Sequence, residues 1–423
     1  MDIEALYQIY TKHPSVTTDT RTLKTGDIFF ALKGPNYNGN QYAHIALAAG
    51  ASYCVVDEDL LFKNERFISV KNSLETLQEL AAKHRSLLQI PILAITGSNG
   101  KTTTKELVHA VLSTTYETYT TKGNLNNHIG VPLTILSISP DAQMAVIEMG
   151  ANHQKEIESY CIYTRPTHGL ITNIGKAHIE GFGSEEGIKK GKGELFAFLK
   201  DIQGTVFVHK DEPTLMELSE GIPNRITYGS GDADTTGSLL PNGLMLQVKL
   251  KRLHIATHLI GSYNLPNVLA AVSIGRYFKI PDERIKTALE NYVPSNSRSQ
   301  LVNKKSNRII LDAYNANPSS MKAAIENFAE VESEKKILVL GAMMEMGDTT
   351  AKEHAAIIDL IKKYKWHNII LVGESFANPP AGMIYFKDSA TATHWLQKEK
   401  FSNADFLIKG SRSMQMEKVL DAI

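Results

Sequence analysis

Gly97-Ser98-Asn99-Gly100-Lys101-Thr102-Thr103 is the stretch of this chain best equipped for chemistry. Two glycines let a loop turn its backbone N–H groups toward an anion, and a helix starting near Lys101 adds partial positive charge at its N-terminus. Lys101 is placed to reach β- and γ-phosphates, and the Thr102 hydroxyl is the kind of group that holds Mg²⁺. The stretch departs from G-x-x-x-x-G-K-[ST] at the first position, where Ile95 stands. A chance Gly-Lys-Thr at an ordinary helix start is the competing reading. The apolar run before the loop and the helical pattern after it favour a phosphate site, without naming the enzyme that carries it.

Other reactive or hydrogen-bonding residues follow apolar runs. Glu148 closes Met144-Ala-Val-Ile147, where a carboxylate can bind Mg²⁺ or simply be solvated. His178 comes just after Gly169-Leu-Ile-Thr172 and is either a ligand or a structural histidine. Lys192 stands between Gly191 and Gly193 in an expected helix over Glu185–Leu199, with Lys189, Lys190 and Glu194. A solvated basic face is one reading. Each helical glycine costs about 1 kcal/mol against alanine, however, which argues that a backbone or ligand comes close. Asn126 and Asn127 lie in the Asn- and Gly-rich stretch Thr121–Pro132, as loop formers or as partners of a sugar or peptide. Asn264 and Asn267 are spaced to share one side of a helix start, as a cap or a base-contacting pair. Asp312 ends Ile309-Ile-Leu311 and leads into Ala313-Tyr-Asn315-Ala-Asn-Pro318. Lys409-Gly-Ser-Arg412 follows Phe406-Leu-Ile408. Near the N-terminus, Thr18-Asp-Thr20-Arg21 and the loop Lys33-Gly34 to Asn40 are polar clusters that plain loop chemistry also explains.

These groups need strand ends to hold them. Ile92–Ile95 has the apolar run of a buried parallel strand, and Leu107, Val108, Val111 and Leu112 line one side of the helix after it. Ligands bind beyond the carboxyl ends of strands in open parallel sheets, so Glu148 and His178 should share one edge with the phosphate loop. Residues 204–260 read as strand-rich, with runs at Thr205–His209, Gly243–Leu250 and Leu253–Leu259. In the first part of the chain, a strand over Asp27–Leu32, a helix over Ala43–Ala49 and a strand over Ser52–Val56 imply parallel pairing. Turn formers at Val293–Ser297 mark a boundary. Beyond it, runs at Ile309–Leu311, Ile337–Leu340, Ile369–Val372 and Phe406–Ile408 describe a dinucleotide-type sheet, with helices expected from Ser320 and after Arg412. The expected architecture is α/β throughout, in three domains: a small α/β domain over 1–88, a central phosphate-loop domain with a parallel sheet over 89–294, and a Rossmann-like domain over 295–423. Three is also what 423 residues suggest at roughly 150 per domain.

Composition narrows the function. Forty-five basic and 45 acidic residues balance, which gives no global bias toward nucleic acid or an anionic membrane. The two cysteines form no C-x-x-C pair, so neither a cysteine metal site nor a disulfide framework is expected. No apolar stretch approaches the roughly 18 residues of a membrane span, and Met1-Asp-Ile-Glu-Ala-Leu lacks the pattern of a signal peptide. A soluble, cytoplasmic, monomeric protein is expected.

The motifs taken together resemble the Mur ligases, the ATP-dependent amide ligases of peptidoglycan precursor synthesis. Thr96–Thr103 looks like that family's phosphate loop, which accounts for Ile95. Asn126–Pro132, Glu148-Met-Gly150, Lys192-Gly-Glu194, Asp312–Pro318 and Lys409–Arg412 follow in family order, and are most similar to the branch that joins D-alanyl-D-alanine to UDP-N-acetylmuramoyl-tripeptide. The resemblance implies ATP and two Mg²⁺ ions. It implies that Gly97, Ser98, Asn99, Gly100, Lys101, Thr102 and Thr103 hold phosphates, and that Thr102 and Glu148 take the first metal. His178 and a carbamylated Lys192 would take the second. Asn264 and Asn267 would lie on the adenine side, with Arg298, Asp312 and Asn315 on the nucleotide. Thr20, Arg21, Lys33 and Gly34 would contact UDP, and Asn126 and Asn127 the sugar nucleotide. Tyr263 and Ala342 depart from the family pattern, which has His and Asp there. A related ligase that adds a single amino acid, of Mur or folylpolyglutamate type, and a phosphate-loop kinase or nucleotide switch are the alternatives.

Overall fold

A computed structural model of the chain describes residues 1–59, 64–240, 244–295 and 297–423. Gly243, the expected start of one strand, and Asn296, within the expected boundary, lie outside the described residues. The chain forms three α/β layers, each around its own sheet.

The first sheet has four parallel strands in the order Val16–Thr17, Ile28–Phe30, Tyr53–Val56 and Phe67–Ser69. The Asp27–Leu32 run keeps only Ile28–Phe30 as strand, and the expected helix spans Ala43–Ala48. Cys54 lies in this sheet and Cys161 in a helix of the middle layer; both are buried free thiols, and burial pushes the Cys54 thiol up to about 12.

The middle sheet has nine strands. From one edge they run Leu253–Ile260, Met245–Leu250, Thr235–Leu239, Asn224–Gly229, Thr205–His209, His168–Ile171, Ile92–Thr96, Met144–Glu148 and Thr118–Thr120. Two antiparallel pairings join Thr235–Leu239, Met245–Leu250 and Leu253–Ile260; the rest is parallel. Ile92–Thr96 is central and wholly buried. Its alternate side chains feed two cores: Ile92 and Ala94 pack with one cluster, Leu93 and Ile95 with the other. Both faces are therefore covered, which is why the strand reads as a continuous apolar run.

The last sheet has six strands, ordered Gln300–Lys304, Asn307–Asp312, Asp405–Lys409, Lys336–Gly341, Asn368–Val372 and Ile384–Phe386. All pairs are parallel except the first. The two edge strands were not foreseen, because Gln300–Lys304 is polar and half-exposed and Ile384–Phe386 is three residues long. Two helix expectations need correction. The helix expected from Ser320 starts at Pro318: Asn317 caps it reciprocally with Ser320, and proline's fixed φ suits the first turn. The segment after Arg412 forms two 3₁₀ helices, Arg412–Met414 and Met416–Ala422, separated by Gln415 at φ 49°, a left-handed break that a continuous α-helix cannot absorb. Among the described residues no helix is long and apolar enough to cross a membrane.

Candidate active site

The phosphate loop leaves the carboxyl end of Ile92–Thr96 and enters the helix Lys101–Leu112. Gly97 has φ 140°, and a Cβ there would lie 2.0 Å from the Thr172 hydroxyl, so only glycine fits. The loop is stitched to the next strand end. Ser98 N–H donates to Asn173 O (3.0 Å), Asn99 N–H to Asn173 Oδ1 (3.0 Å), and the Thr172 hydroxyl to Asn99 O (2.5 Å). Gly100, at φ 78°, is the residue before the helix, and Thr103 lies in its first turn. Lys101 Nζ donates back to Gly97 O (2.7 Å) and Ser98 O (3.2 Å). Burial lowers its pKa and the nearby Glu148 carboxylate opposes this. The lysine thus curls over the loop whose carbonyls it touches.

Thr102, in the first turn of the phosphate-loop helix, and Glu148, at a strand end, meet at the shared edge. The Thr102 hydroxyl donates to Glu148 Oε2 (2.9 Å), and Asn126 Nδ2 donates to Oε1 (2.7 Å). Glu148 is only 1% exposed. A buried carboxylate with a hydroxyl beside it is a hard oxygen pair, the donor type Mg²⁺ prefers when phosphates and waters complete its shell. The residues present therefore fit one such ion. Among the described residues no three His, Cys, Asp or Glu side chains gather as a ready-made metal cage.

Asn127 takes the bland alternative: its Oδ1 accepts from Ile129 N–H (3.1 Å) and Gly130 N–H (2.9 Å), ordering the start of a helix. It still lines the cavity described below.

Lys192 is fully buried on the helix Glu185–Asp201. Its Nζ donates to Ala151 O (2.9 Å) and lies 5.0 Å from the centre of the Phe182 ring. Burial first, and the Lys101 charge second, hold its pKa well below the usual lysine range. Both glycines flanking Lys192 admit close neighbours, Gly191 the Phe182 ring and Gly193 the Leu218 side chain. A Cβ on Gly191 would come 2.5 Å from the Phe182 ring, so the close neighbour is an aromatic side chain rather than a backbone or ligand. His178 has φ 55° and starts the short helix Ile179–Phe182. Its Nδ1 is buried without a well-aligned hydrogen-bond partner; what faces it is the carboxylate of Glu345, from the last layer.

The asparagine pair does not cap its helix through side chains. Asn267 Nδ2 donates to Asn264 Oδ1 (2.8 Å), Asn264 Nδ2 to Ile260 O (2.8 Å), and the Thr104 hydroxyl to Asn267 Oδ1 (3.0 Å). The pair ties the helix Leu265–Tyr277 to the phosphate-loop helix.

The last layer closes one side. Lys409 Nζ donates to Asp312 Oδ2 (2.5 Å) and Asn315 O (3.2 Å). Asn315 Oδ1 accepts from Ala316 N–H (2.9 Å). The Arg298 guanidinium stacks 3.7 Å from the Tyr314 ring centre. Tyr263, the departure before Asn264, pairs its hydroxyl with that of Ser299 (2.9 Å). One cavity of about 750 Å³ is lined by Ser98–Thr103, Asn126, Asn127, Glu148, His178, Asn264, Asn267, Arg298, Asp312 and Asn315.

Thr20, Arg21, Lys33 and Gly34 do not line this cavity. They sit past the carboxyl ends of the first sheet's strands. Arg21 pairs with Asp19 (2.6 Å), holding that carboxyl down at about 2, and Lys33 pairs with Asp57 (3.1 Å) and Glu58 (2.9 Å). Gly34 belongs to a small hairpin with Tyr37. Several cavity residues were missed by sequence reasoning. His209 and Glu212 end and follow Thr205–His209, so the strand-end rule that selected Glu148 would have found them. Asn173, directly after Gly169–Thr172, carried the same strand-end signal.

The Mur ligase middle domain model matches residues 95–275 and the "Mur ligase, glutamate ligase domain" model residues 297–410. The chain is 34% identical over 422 residues to the UDP-N-acetylmuramoyl-tripeptide--D-alanyl-D-alanine ligase of Bacillus subtilis (strain 168), covering 96% of this chain and 92% of that protein. It is also 34% identical to the Escherichia coli (strain K12) protein of the same name, covering 97% and 93%. A crystal structure of MurF from Acinetobacter baumannii superposes with a TM-score of 0.87 at 28% identity, covering 98% of this chain and 97% of that one.

Proposed function

Because this chain belongs to the Mur ligase family, we propose that it joins D-alanyl-D-alanine to UDP-N-acetylmuramoyl-tripeptide at the expense of ATP, giving UDP-N-acetylmuramoyl-pentapeptide, ADP and phosphate in the cytoplasm. The observation that carries this reading is the meeting of the Thr102–Glu148 pair with Arg298, Asp312 and Asn317 around one cavity. Phosphate-binding and last-layer groups from distant parts of the chain face the same space. A nucleotide switch that needs no amine acceptor leaves that second wall without a task.

Residues 1–88 are assigned to the sugar-nucleotide domain, 89–294 to the ATP domain and 295–423 to the closing domain. Thr20, Arg21, Lys33 and Gly34 are assigned to UDP, which fits their place beyond the strand ends of the first sheet. Asn264 and Asn267 are assigned to the adenine side, Arg298, Asp312 and Asn315 to the nucleotide, and Asn126 and Asn127 to the sugar-nucleotide side.

A carboxylate and an ammonium do not condense in water without activation. A carboxylate oxygen of the tripeptide attacks the γ-phosphorus, the bond to the β,γ-bridging oxygen breaks, and ADP leaves. The amine nitrogen of D-alanyl-D-alanine then attacks the acyl carbon, the C–O bond to phosphate breaks, and the nitrogen sheds a proton. The chain's work is positioning and charge. Gly97–Gly100 hold the phosphates, Lys101 neutralises them, and the closing domain keeps water from the acyl phosphate. Thr102 and Glu148 would hold a first Mg²⁺ and His178 a second; bound there, the ions offset the negative charge of the two anions. Lys192, desolvated by burial and with its pKa held well below the usual lysine range, is suited to add to CO₂: the amine nitrogen bonds the carbon, an oxygen takes the electron pair, and a proton leaves. The resulting carbamate would serve the second metal.

Phosphate release from ATP and Mg²⁺ is measured with UDP-N-acetylmuramoyl-tripeptide, with and without D-alanyl-D-alanine. Release that needs both, with a UDP-pentapeptide product by mass, is the expected result. Release with another amine moves the chain to another branch, and release indifferent to amines overturns the ligase reading.

A further inference from the structure

The segment Asn173–His178 touches the phosphate loop at one end and the last layer at the other. The Ser98 hydroxyl donates to Gly175 O (2.8 Å) and accepts from Gly175 N–H (2.9 Å). The next residue, Lys176, accounts for two contacts in the opposite direction. Its N–H donates to the Ser319 hydroxyl (3.1 Å), and its Nζ donates to Glu353 Oε1 (3.0 Å) on the helix Thr350–Ile361. Two residues on, His178 faces Glu345. Three groups of the last layer thus grip one six-residue segment whose other side is bolted to the phosphate loop.

The charges in this grip are unequal in their surroundings. The Glu353 side chain is 10% exposed and that of Lys176 37%. Lys176 also lies 3.6 Å from Glu185, a carboxylate on its own layer that is 71% exposed. A nearly buried carboxylate across the seam binds a cation more strongly than a solvated one, because water screens it less. If the layers separate, Lys176 keeps Glu185 and Glu353 returns to water, so neither charge is stranded in the open form.

We propose that Lys176 and Glu353 are positioning residues that latch the closing domain onto the segment reading the phosphate loop, so that occupancy of the loop and closure of the last layer are coupled. Neither residue touches the reacting atoms. The inference rests on the ligase reading for its kinetic readout only; closure itself is read independently of turnover.

The test uses the full chain as wild type, Lys176→Met, Glu353→Gln and the reversed pair K176E/E353K, with thermal melts to verify folding. The radius of gyration is measured by X-ray scattering with and without ADP and Mg²⁺, and ligation kinetics are recorded beside it. Nucleotide is expected to compact the wild type and to compact neither single variant. Turnover in the singles falls about two- to fivefold, the scale for losing one partner of a half-exposed charge pair, while KM for the sugar nucleotide stays within about twofold. The reversed pair regains both compaction and turnover in part, which a merely structural role would not produce. Single variants that compact and turn over like the wild type overturn the proposal. So does a reversed pair as impaired as the two singles combined, or a wild type whose scattering ignores nucleotide. If the wild type ligates nothing, the ligase reading fails while the scattering still decides the latch.

Discussion

Asn317 donates its side-chain amide to Asn99 Oδ1 at 2.8 Å, across 218 positions of sequence. Asn99 sits in the phosphate loop and Asn317 caps the helix Pro318–Ala329 of the last layer. One side chain therefore caps the start of a helix and touches the loop that would hold ATP. Asn317→Ala is expected to lose about 1 kcal/mol of stability, the usual worth of such a cap. It should also raise KM for ATP severalfold, whereas Ser320→Ala, which removes only the other half of the capping box, should leave KM for ATP near its original value. Denaturant melts and ATP titrations separate the two effects.

The Glu148 carboxylate is oriented by Asn126 as well as by Thr102. Removing an outer partner of a metal-binding carboxylate typically costs about 10- to 100-fold in affinity or activity. Asn126→Ala should lower activity on that scale at low Mg²⁺ and recover much of it at high Mg²⁺. Glu148→Ala should not recover at any concentration. A magnesium titration of turnover checks both.

Lys192 combines a cost to folding with a use in catalysis. Its folded pKa lies below the unfolded value near 10.5, so the unfolded state binds more protons in the interval between them. Stability therefore rises with pH across that interval and falls as pH drops through it. Lys192→Met keeps the length, removes the buried amine, and should raise the melting midpoint at neutral pH, by about 1 °C for each kcal/mol of burial cost relieved at about 2 cal/mol/K of unfolding entropy per residue. The same variant should lose most ligase activity, with no rescue by bicarbonate. Calorimetry and the ligation assay would test the two halves separately.

His168 provides a pH signature far from the reaction. It is packed among Phe207, Tyr277 and Phe278, and burial lowers its pKa from 6.5 to about 4. The folded value is the lower one, so the stabilisation is complete above pH 6.5 and is lost as pH falls toward 4. At pH 5 the loss should be about 1–2 kcal/mol. His168→Phe should flatten that part of the profile in chemical denaturation run at pH 7 and pH 5.

Much of the site was legible because strand ends announce themselves. Ile92–Thr96 and Met144–Glu148 are apolar runs that stop at chemistry-bearing residues, and parallel pairing brings those ends together. Lys192 could be singled out because two glycines flank it, although the neighbours they admit are the side chains of Phe182 and Leu218. The pairs Asn99–Asn317, Lys176–Glu353 and His178–Glu345 were not legible. They join residues of ordinary type across the seam between two layers, and no local pattern encodes a meeting that depends on how whole sheets dock. The asparagine pair at 264 and 267 was ambiguous for a different reason. Side-chain amides serve caps, ligands and one another equally well, and here they chose one another.

The two cysteines have a practical consequence for watching this molecule move. Cys54 and Cys161 are both buried, and both thiols are held in their unreactive protonated form by desolvation. Maleimide dyes attack thiolates that solvent can reach, so the native chain should label slowly. A single exposed cysteine placed in each of two layers would then accept a fluorophore pair without first stripping the protein of its own sulfur. Energy transfer between the dyes could follow the opening and closing of one molecule at a time.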